Sequence, residues 1–564
     1  MSKRLFTAIV SILLIMVMLV GCSKTDPGTS SPGTSSPGAS SPGTSSPGTS
    51  SPGTPDPGAP ERSRTVTLAG ASKPSQLEMH MVSNSTDYYH AEFFMESLIY
   101  TDHTGQGYSP MLAQSWESSA DAKEWTFKLQ EGVKFHNGED FDADDVVCSF
   151  QFLIDMKDVS AVYIGSIPTL QSVEKIDQYT VKLVFSEPFP LALNGLRSVF
   201  IFPNEAFEEL GYEALFRPEH SYGTGPWIFS EWVDGEYTTF KKNENYWNKA
   251  GYDQYFDTAR YLHANEPSSI VAAHLAGEIN AYGMPAGMNT DLVPMYDSVL
   301  DRVELVTKFT SSLNFIFFQM GDKSPFKDEN LRKAVSYAID RPMIYETIFS
   351  GMGMPAVGTF HPQMPVHDPN NTDYYFDLDL AKEYVEKSDY DGRELFMVCR
   401  SNTTIEVTLS LAVADMLAKV GINVTVDPVD SMTFNSRRDN SEYDLMFTGT
   451  PFPDQIPARF FASLIRDTSK TNHNDEKLVE LITLYNTELD DAKRVERGRE
   501  VGNYITSHVV PYVAIGHPPS IWACDWDLTG INFFSDGTPH LAYVDYDPLN
   551  EPLPAQTDPF FHLR

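Results

Sequence analysis

Between Ser30 and Thr54 the chain repeats Ser-Ser-Pro-Gly-Thr, which sets Pro32, Pro37, Pro42, Pro47 and Pro52 at a period of five, with Ala39 replacing one Thr. Pro and Gly at this density cannot build a packed core, so the stretch reads as a linker. Its period is too short for a solenoid, whose units run to roughly 20 residues or more. About 34 linker residues average roughly 30–35 Å end to end as a coil and reach about 100 Å as polyproline II. Globular structure must therefore come from residues 61–564. That is about 500 residues, more than one hydrophobic core supports, and predicts two or three domains.

The segment before the linker explains what it tethers. Lys3 and Arg4 precede an almost unbroken apolar run, Leu5 to Val20, which ends in Leu19-Val20-Gly21-Cys22. A basic start, an apolar stretch and a small residue before the cut describe a secretory signal, here residues 1–21. Leu-x-Gly-Cys resembles the bacterial lipobox, which implies that Cys22 is acylated and that residues 22–60 are a lipidated cysteine plus tether. Several acyl chains hold a protein at a membrane far more firmly than one. The apolar run falls short of the roughly 20 residues a spanning helix needs. A tethered body on the outer face of the cell membrane, of Gram-positive type, is expected; the lipobox alone does not separate this from a periplasmic location.

The formal net charge is −36, with the acidic residues spread along the chain. Such a field repels phosphate backbones and excludes nucleic-acid binding. Beyond Cys22 the cysteines are Cys148, Cys399 and Cys524, an odd number without a C-x-x-C pair. A disulfide framework is not expected in a chain this large; Cys148 and Cys399 lie within apolar elements and read as buried small hydrophobes, with one bridge left open.

The body mixes strands and helices throughout, predicting an α/β or α+β protein of more than one lobe. Val66 and Leu68 alternate as an entering strand. Trp125, Phe127 and Leu129 alternate, a Glu131-Gly132 turn follows, and Val133 and Phe135 alternate again, predicting a hairpin. Asp142 with Asp145 three residues on is a helix-start signature before Val146, Phe150 and Leu153. Val181, Leu183 and Phe185 form another half-buried strand. Asp328 can cap a helix carrying Leu331, Val335 and Ala338, which should stop near Asp340 because Pro342 follows. A second helix is expected to reach Ser350, with Gly351 closing it. Thr404 to Val420 reads as a further helix closed by Gly421, and Val424 and Val426 alternate after it.

Catalytic signatures are missing. None of the fourteen histidines begins an H-E-x-x-H zinc motif, and neither G-x-S-x-G nor a G-x-x-x-x-G-K phosphate loop occurs. Gly351, Gly353 and Ala356 fit G-x-G-x-x-A, but they follow a helix and enclose Pro355, against dinucleotide binding. His136, between Phe135 and Asn137, reads as a turn histidine. No metal, cofactor or catalytic residue is assigned, and an enzyme is not expected.

Three groups of residues carry a more specific signal. The first runs from Glu96-Ser97-Leu98 through Trp116 and Trp125-Thr126-Phe127 to Gly132-Val133-Lys134-Phe135-His136-Asn137-Gly138 and Ala143-Asp144-Asp145-Val146. The second is Gly223-Thr224-Gly225-Pro226-Trp227 with Asn243 and Asn245-Tyr246-Trp247. The third is Pro325-Phe326 with Leu331-Arg332-Lys333-Ala334, Ala338-Ile339-Asp340-Arg341 and Pro355-Ala356. In this order, over roughly residues 65–545, the chain resembles the family 5 extracellular solute-binding proteins, which include the dipeptide- and oligopeptide-binding components of ABC importers.

The resemblance implies a periplasmic-binding-protein-like clamshell of class II type. Lobe I would combine residues 61–105, 223–310 and 515–564, a subdomain at 106–222 would be inserted into it, and lobe II would span 311–514. The implied function is capture of a small solute by lobe closure and delivery to ABC permease subunits, by a protein acting as a monomer. In the dipeptide-binding branch an Asp after a Trp-Thr-Gly-like stretch pairs with the peptide ammonium; here Phe447-Thr448-Gly449 is followed by Thr450, and Asp454 lies four residues on. An unpaired buried ammonium costs several kcal/mol; di- or oligopeptides are the expected ligand, with an oligosaccharide-binding lipoprotein of the same importer class and a ligand-sensing surface lipoprotein as the alternatives. Family topology adds Tyr88 and Tyr89 in the loop entering the first helix, Asn314 and Phe317 on the strand opening lobe II, and Phe452 beside Thr450 and Asp454.

Overall fold

The computed structural model describes residues 64–70, 85–101, 107–157, 166–249, 255–263, 266–284, 288–401, 403–452, 455–466, 471–529, 531–533 and 539–546. The signal segment, Cys22, the tether and Asp454 lie outside them. The chain enters as strand β1 (Thr65–Gly70) and helix α1 (Ser85–Ala91). It then leaves to build a separate antiparallel sheet from β2 (Ala113–Ser118), β3 (Glu124–Leu129), β4 (Leu170–Asp177) and β5 (Thr180–Phe185), in the order β2-β3-β5-β4. Helix α2 (Ala143–Asp155) shares its apolar core, burying Val146, Phe150 and Leu153 with Phe127, Val181 and Leu183. The expected capping box is present: Asp142 accepts from Asp144 N, and Asp145 accepts from Asp142 N.

The chain returns through β6 (Trp227–Val233), β7 (Tyr237–Lys242), β8 (Thr258–Leu262), β9 (Ala281–Met284) and β10 (Val303–Phe309). After residues 310–312 a second body begins. Its strands are β11 (Leu313–Phe318), β12 (Met354–Pro355), β13 (Leu395–Arg400), β14 (Val424–Val429), β15 (Leu445–Thr450) and β16 (Tyr512–His517), in the order β12-β16-β11-β15-β13-β14. Its helices include α3 (Glu329–Ala338), α4 (Arg341–Thr347), α5 (Thr404–Ala418), α6 (Ser431–Asp439) and α7 (Asp491–His508). Strand β17 (Pro519–Asp525) then rejoins the first body, completing a seven-stranded sheet in the order β10-β17-β9-β1-β8-β7-β6. Each body has its own core, so the chain crosses between them twice, at 310–312 and at Pro518. The second crossing lies beyond the expected 514/515 boundary because β16 stays in the six-stranded sheet as far as His517.

Two local expectations differ from the structure. Residues 133–135 do not return along β3, which pairs with β2 and β5; they form a short antiparallel bridge with residues 139–141, Lys134 opposite Asp140, while Val133 and Phe135 bury their side chains. Alternation there reflects this short local bridge beside the core rather than a strand paired with β3. Tyr88 and Tyr89 lie within α1 rather than in a loop before it, a short helix whose first turn carries Asp87, the charge its N-terminal dipole favours. Cys148, Cys399 and Cys524 are free.

Candidate functional site

The hinge end of the six-stranded sheet brings together three of the predicted residues, Asn314, Thr450 and Phe452. β11 starts directly after the first crossing and runs antiparallel to β15, setting Leu313 opposite Thr450 and Asn314 opposite Gly449. β13 and β14 run parallel to β15, with Arg400 opposite Val429. The carboxyl ends of three parallel strands therefore open toward the other lobe, the edge at which open α/β sheets receive ligands.

Asn314 is half-buried, and its amide occupies the space that Gly449 leaves: a Cβ on Gly449 would sit 2.9 Å from Asn314 Oδ1. Thr450 is half-buried at the strand end. Phe452 is only 2% exposed, with its ring between Phe360 and Phe460, so it fixes the loop to lobe II by packing. Phe317 lies deeper along β11, edge-on to Phe315 and Tyr512. Tyr88 belongs to lobe I, where its hydroxyl donates to Arg197 O at 3.0 Å and its ring meets Phe200. It borders a cavity of about 20 Å³ shared with Glu92, Glu96, Arg197 and Tyr543. A space of that size holds one water and no solute.

One residue at the strand ends had no motif to announce it. Arg400 closes β13, and its Nη1 donates to Glu406 Oε1 at 2.8 Å and to Thr448 Oγ1 at 3.4 Å. Its backbone N–H also donates to Glu406 Oε2, and its guanidinium lies 4.0 Å from the centroid of the Phe434 ring. Glu406 sits in the first turn of α5; burial raises its pKa even though Arg400 opposes the shift. Among the described residues Nε and Nη2 of Arg400 have no hydrogen-bond partner, so a planar pair of donors is left for an incoming oxyanion.

The first two motif groups meet elsewhere, at the joint between lobe I and the subdomain. His136 donates from Nε2 to Gly225 O at 3.0 Å, accepts from Gly223 N at Nδ1, and donates its own N–H to Gly223 O. Both ring nitrogens are satisfied, as a structural turn histidine requires. Gly223 is pressed on Phe94 so closely that a Cβ would lie 1.8 Å from Phe94 O. Glu96, buried beside this contact, accepts from Thr224 Oγ1, Tyr246 Oη and Trp247 Nε1, each at 2.8 Å.

These buried groups set a pH dependence. Burial pushes the carboxyls of Glu96 and Asp145 up to about 7 and holds His90, His136, His361 and His517 down at about 3, 4, 4 and 3. A depressed histidine contributes stability above its unfolded pKa of about 6.5 and loses it as pH falls; a raised carboxyl contributes below about 4 and loses it as pH rises to about 7. Four histidines outweigh two carboxyls between those limits. Unfolding midpoints are expected to be highest near pH 7, to fall steadily toward pH 5 and to change little by pH 8; a flat profile between pH 5 and 7 would contradict this.

Two lobes with separate cores, joined by paired crossings and with strand ends opening between them, define a solute-binding clamshell. The sequence pattern of the bacterial extracellular solute-binding proteins, family 5 Middle, matches residues 107–472. The oligopeptide-binding protein AppA of Bacillus subtilis is 27% identical over 378 residues, covering 61% of this chain and 66% of AppA, just under two thirds of that relative. Heme-binding protein A of Haemophilus influenzae is 26% identical over 447 residues, 72% of this chain and 78% of that protein. Among solved structures, the periplasmic binding protein DppA from Helicobacter pylori in complex with the peptide STSA shares the fold, with a TM-score of 0.77 at 20% identity over 86% of this chain and 98% of that one. The chain belongs to the family 5 bacterial extracellular solute-binding proteins, and its body works outside the cytoplasm. Among the described residues no helix is long and apolar enough to cross a membrane.

Proposed function

We propose that this protein is the receptor subunit of an ABC importer for peptides, binding its ligand between the lobes and handing it to membrane permease subunits. The observation that carries the reading is Arg400, a half-buried cation with two uncommitted donors at the strand ends of a chain whose net charge is −36. In a field so negative, a held guanidinium is suited to a carboxylate such as a peptide C-terminus. The relatives agree in kind, since AppA is named for oligopeptides and the DppA structure holds a peptide. Thr450 offers no charge to a peptide ammonium, so Asp454 is the nearest acid for that role. Asn314 and Thr450 would line the lobe II wall, with Tyr88 and Tyr89 of α1 as the proposed contacts on lobe I. Lobe I is assigned to 61–105, 223–310 and the chain from Pro518 onward, the subdomain to 106–222, and lobe II to 311–517. Cys22 would carry the lipid anchor, and the protein would act as a monomer without catalysis.

Ligand that binds the closed state better shifts the population toward it. Thermal unfolding of the full chain against short peptides and against oligosaccharides tests the ligand class. Peptide at about 100 times its dissociation constant is expected to add about 2.7 kcal/mol. Stabilisation by sugars alone would overturn the peptide reading, and would be understandable from the uncharged Thr450.

A further inference from the structure

The first crossing consists of three consecutive hydroxyl residues, two tied to the second crossing and the middle one to the loop after Thr450. Thr310 Oγ1 donates to Pro518 O at 2.8 Å, in the second crossing. Ser312 O accepts from His517 Nδ1 at 2.8 Å, so the second crossing returns the contact. Ser311 Oγ donates to Phe452 O at 2.7 Å, in the loop that follows Thr450. Phe452 O also accepts from Gln455 N at 3.0 Å, so both its lone pairs are used, one by the crossing and one by the turn that closes the loop. Thr310, Ser311 and His517 are each no more than 2% exposed.

We propose that Thr310, Ser311 and Ser312 form a coupling element that joins the two crossings into one hinge and ties that hinge to the ligand loop. The coupling to ligand rests on the reading that this loop borders the solute; the joining of the crossings does not. The physical case starts from burial. A hydroxyl donor shielded from water that loses its acceptor costs about 1–3 kcal/mol, so rotation of the lobes favours keeping these bonds or exchanging them as a set. Hinges absorb closure at a few residues. The crossings already run side by side, between Phe309 opposite Pro519 and Asn314 opposite Gly516, and the Thr310 and His517 bonds extend that pairing across the hinge, so the two strands turn together. Ser311 then makes the position of the Phe452 carbonyl depend on hinge angle, and the reverse. The Phe452 ring, wedged between Phe360 and Phe460, keeps the loop from drifting independently.

The histidine side of the element has a fixed proton arrangement. Because a carbonyl only accepts, His517 carries its proton on Nδ1. His361, perpendicular to it with ring centroids 4.9 Å apart, accepts from Gln363 N at Nδ1 and so carries its proton on Nε2. Both rings are thus neutral and meet edge to face, with no charged group at the hinge. Ser311 and Thr310 are positioning residues in this scheme, since neither is placed against the ligand.

The test measures lobe separation in the full chain by pulsed electron resonance between spin labels on keto amino acids introduced at the exposed positions Lys241 and Glu386. Without ligand, Ser311→Ala and Thr310→Val are each expected to change the ratio of the separation populations by about threefold to tenfold, the scale of one hydrogen bond. Thr310→Ser, which keeps the hydroxyl, is expected to match wild type. Distributions in Ser311→Ala and Thr310→Val identical to wild type would overturn the proposal, and if Ser311→Ala does not fold, Thr310→Val with its serine control decides. Trialanine is then added. A wild-type distribution that shifts with trialanine, and a Ser311→Ala distribution that shifts less, supports coupling to the loop; equal shifts overturn that part. No shift in wild type counts against the peptide reading alone, because the ligand-free comparison stands without it.

Discussion

Arg341→Ala is expected to lower the unfolding free energy by about 3–5 kcal/mol, from buried carbonyls left without a donor at about 1–3 kcal/mol each together with the cavity the side chain leaves. Arg341 is 1% exposed and donates from Nε to Ala514 O at 2.8 Å, from Nη1 to Ser336 O at 3.1 Å, and from Nη2 to Ser336 Oγ at 3.3 Å. The Tyr374 ring lies 4.8 Å from its guanidinium. Burial lowers its pKa only to about 10, so the group stays charged at neutral pH, held by carbonyl dipoles and an aromatic face rather than by a carboxylate. Alanine would strand the carbonyls of Ser336 and Ala514, the second of which belongs to β16 just before the hinge. Denaturant unfolding at constant m-value measures the loss, and a change below about 1 kcal/mol would show that solvent replaces the guanidinium. Arg341→Lys is expected to recover less than half, since one ammonium cannot reach both carbonyls in the same plane.

Arg332 repeats the device. Its guanidinium collects Phe326 O, Lys327 O, His508 O and Val509 O, closing the end of α7 around Val509, a β-branched residue held at a left-handed φ of 49°. Both arginines belong to the third motif group, so that group describes scaffolding for lobe II rather than solute contact. The first and second groups likewise describe a joint, with His136 and Glu96 clasping Gly223 and Thr224. The residues by which the chain is most readily assigned to its family are thus largely those that hold it together.

What could be read from the sequence was what depends on neighbours along the chain. Asp142 and Asp328 cap their helices because a cap needs only the next turn, and Val181, Leu183 and Phe185 alternate because one sheet face is buried. Val133 and Phe135 misled because what shapes their turn, the clasp of His136 on Gly223 and Gly225, comes from residues far along the chain. The hinge was placed near 310 and 515, yet its bonding was not legible: Thr310, Ser311 and Ser312 are ordinary polar residues until Pro518, His517 and Phe452 are brought beside them. Arg400 was missed for a similar reason. A lone arginine after an apolar strand, followed six residues later by a glutamate, has no periodicity to betray it, and only the parallel register of β13 and β15 sets it at the strand ends beside Thr448.

Arg400→Leu is expected to weaken binding of a short peptide with a free C-terminus by about 10- to 150-fold, the range for a hydrogen bond to a charged group. The same peptide carrying a C-terminal amide offers no carboxylate, so its affinity should be weak for wild type and nearly unchanged by the substitution. That difference separates an anchoring role from general damage to lobe II. Loss of Arg400 also leaves Glu406 buried without its cation, so the Arg400→Leu, Glu406→Gln double variant is needed beside it. If the double variant is as stable as wild type and binds the acid as weakly as the amide, the carboxylate contact is made by Arg400. If both variants bind the free acid as wild type does, the guanidinium serves only to hold Glu406 and Phe434, and the peptide C-terminus must be anchored elsewhere in the cleft.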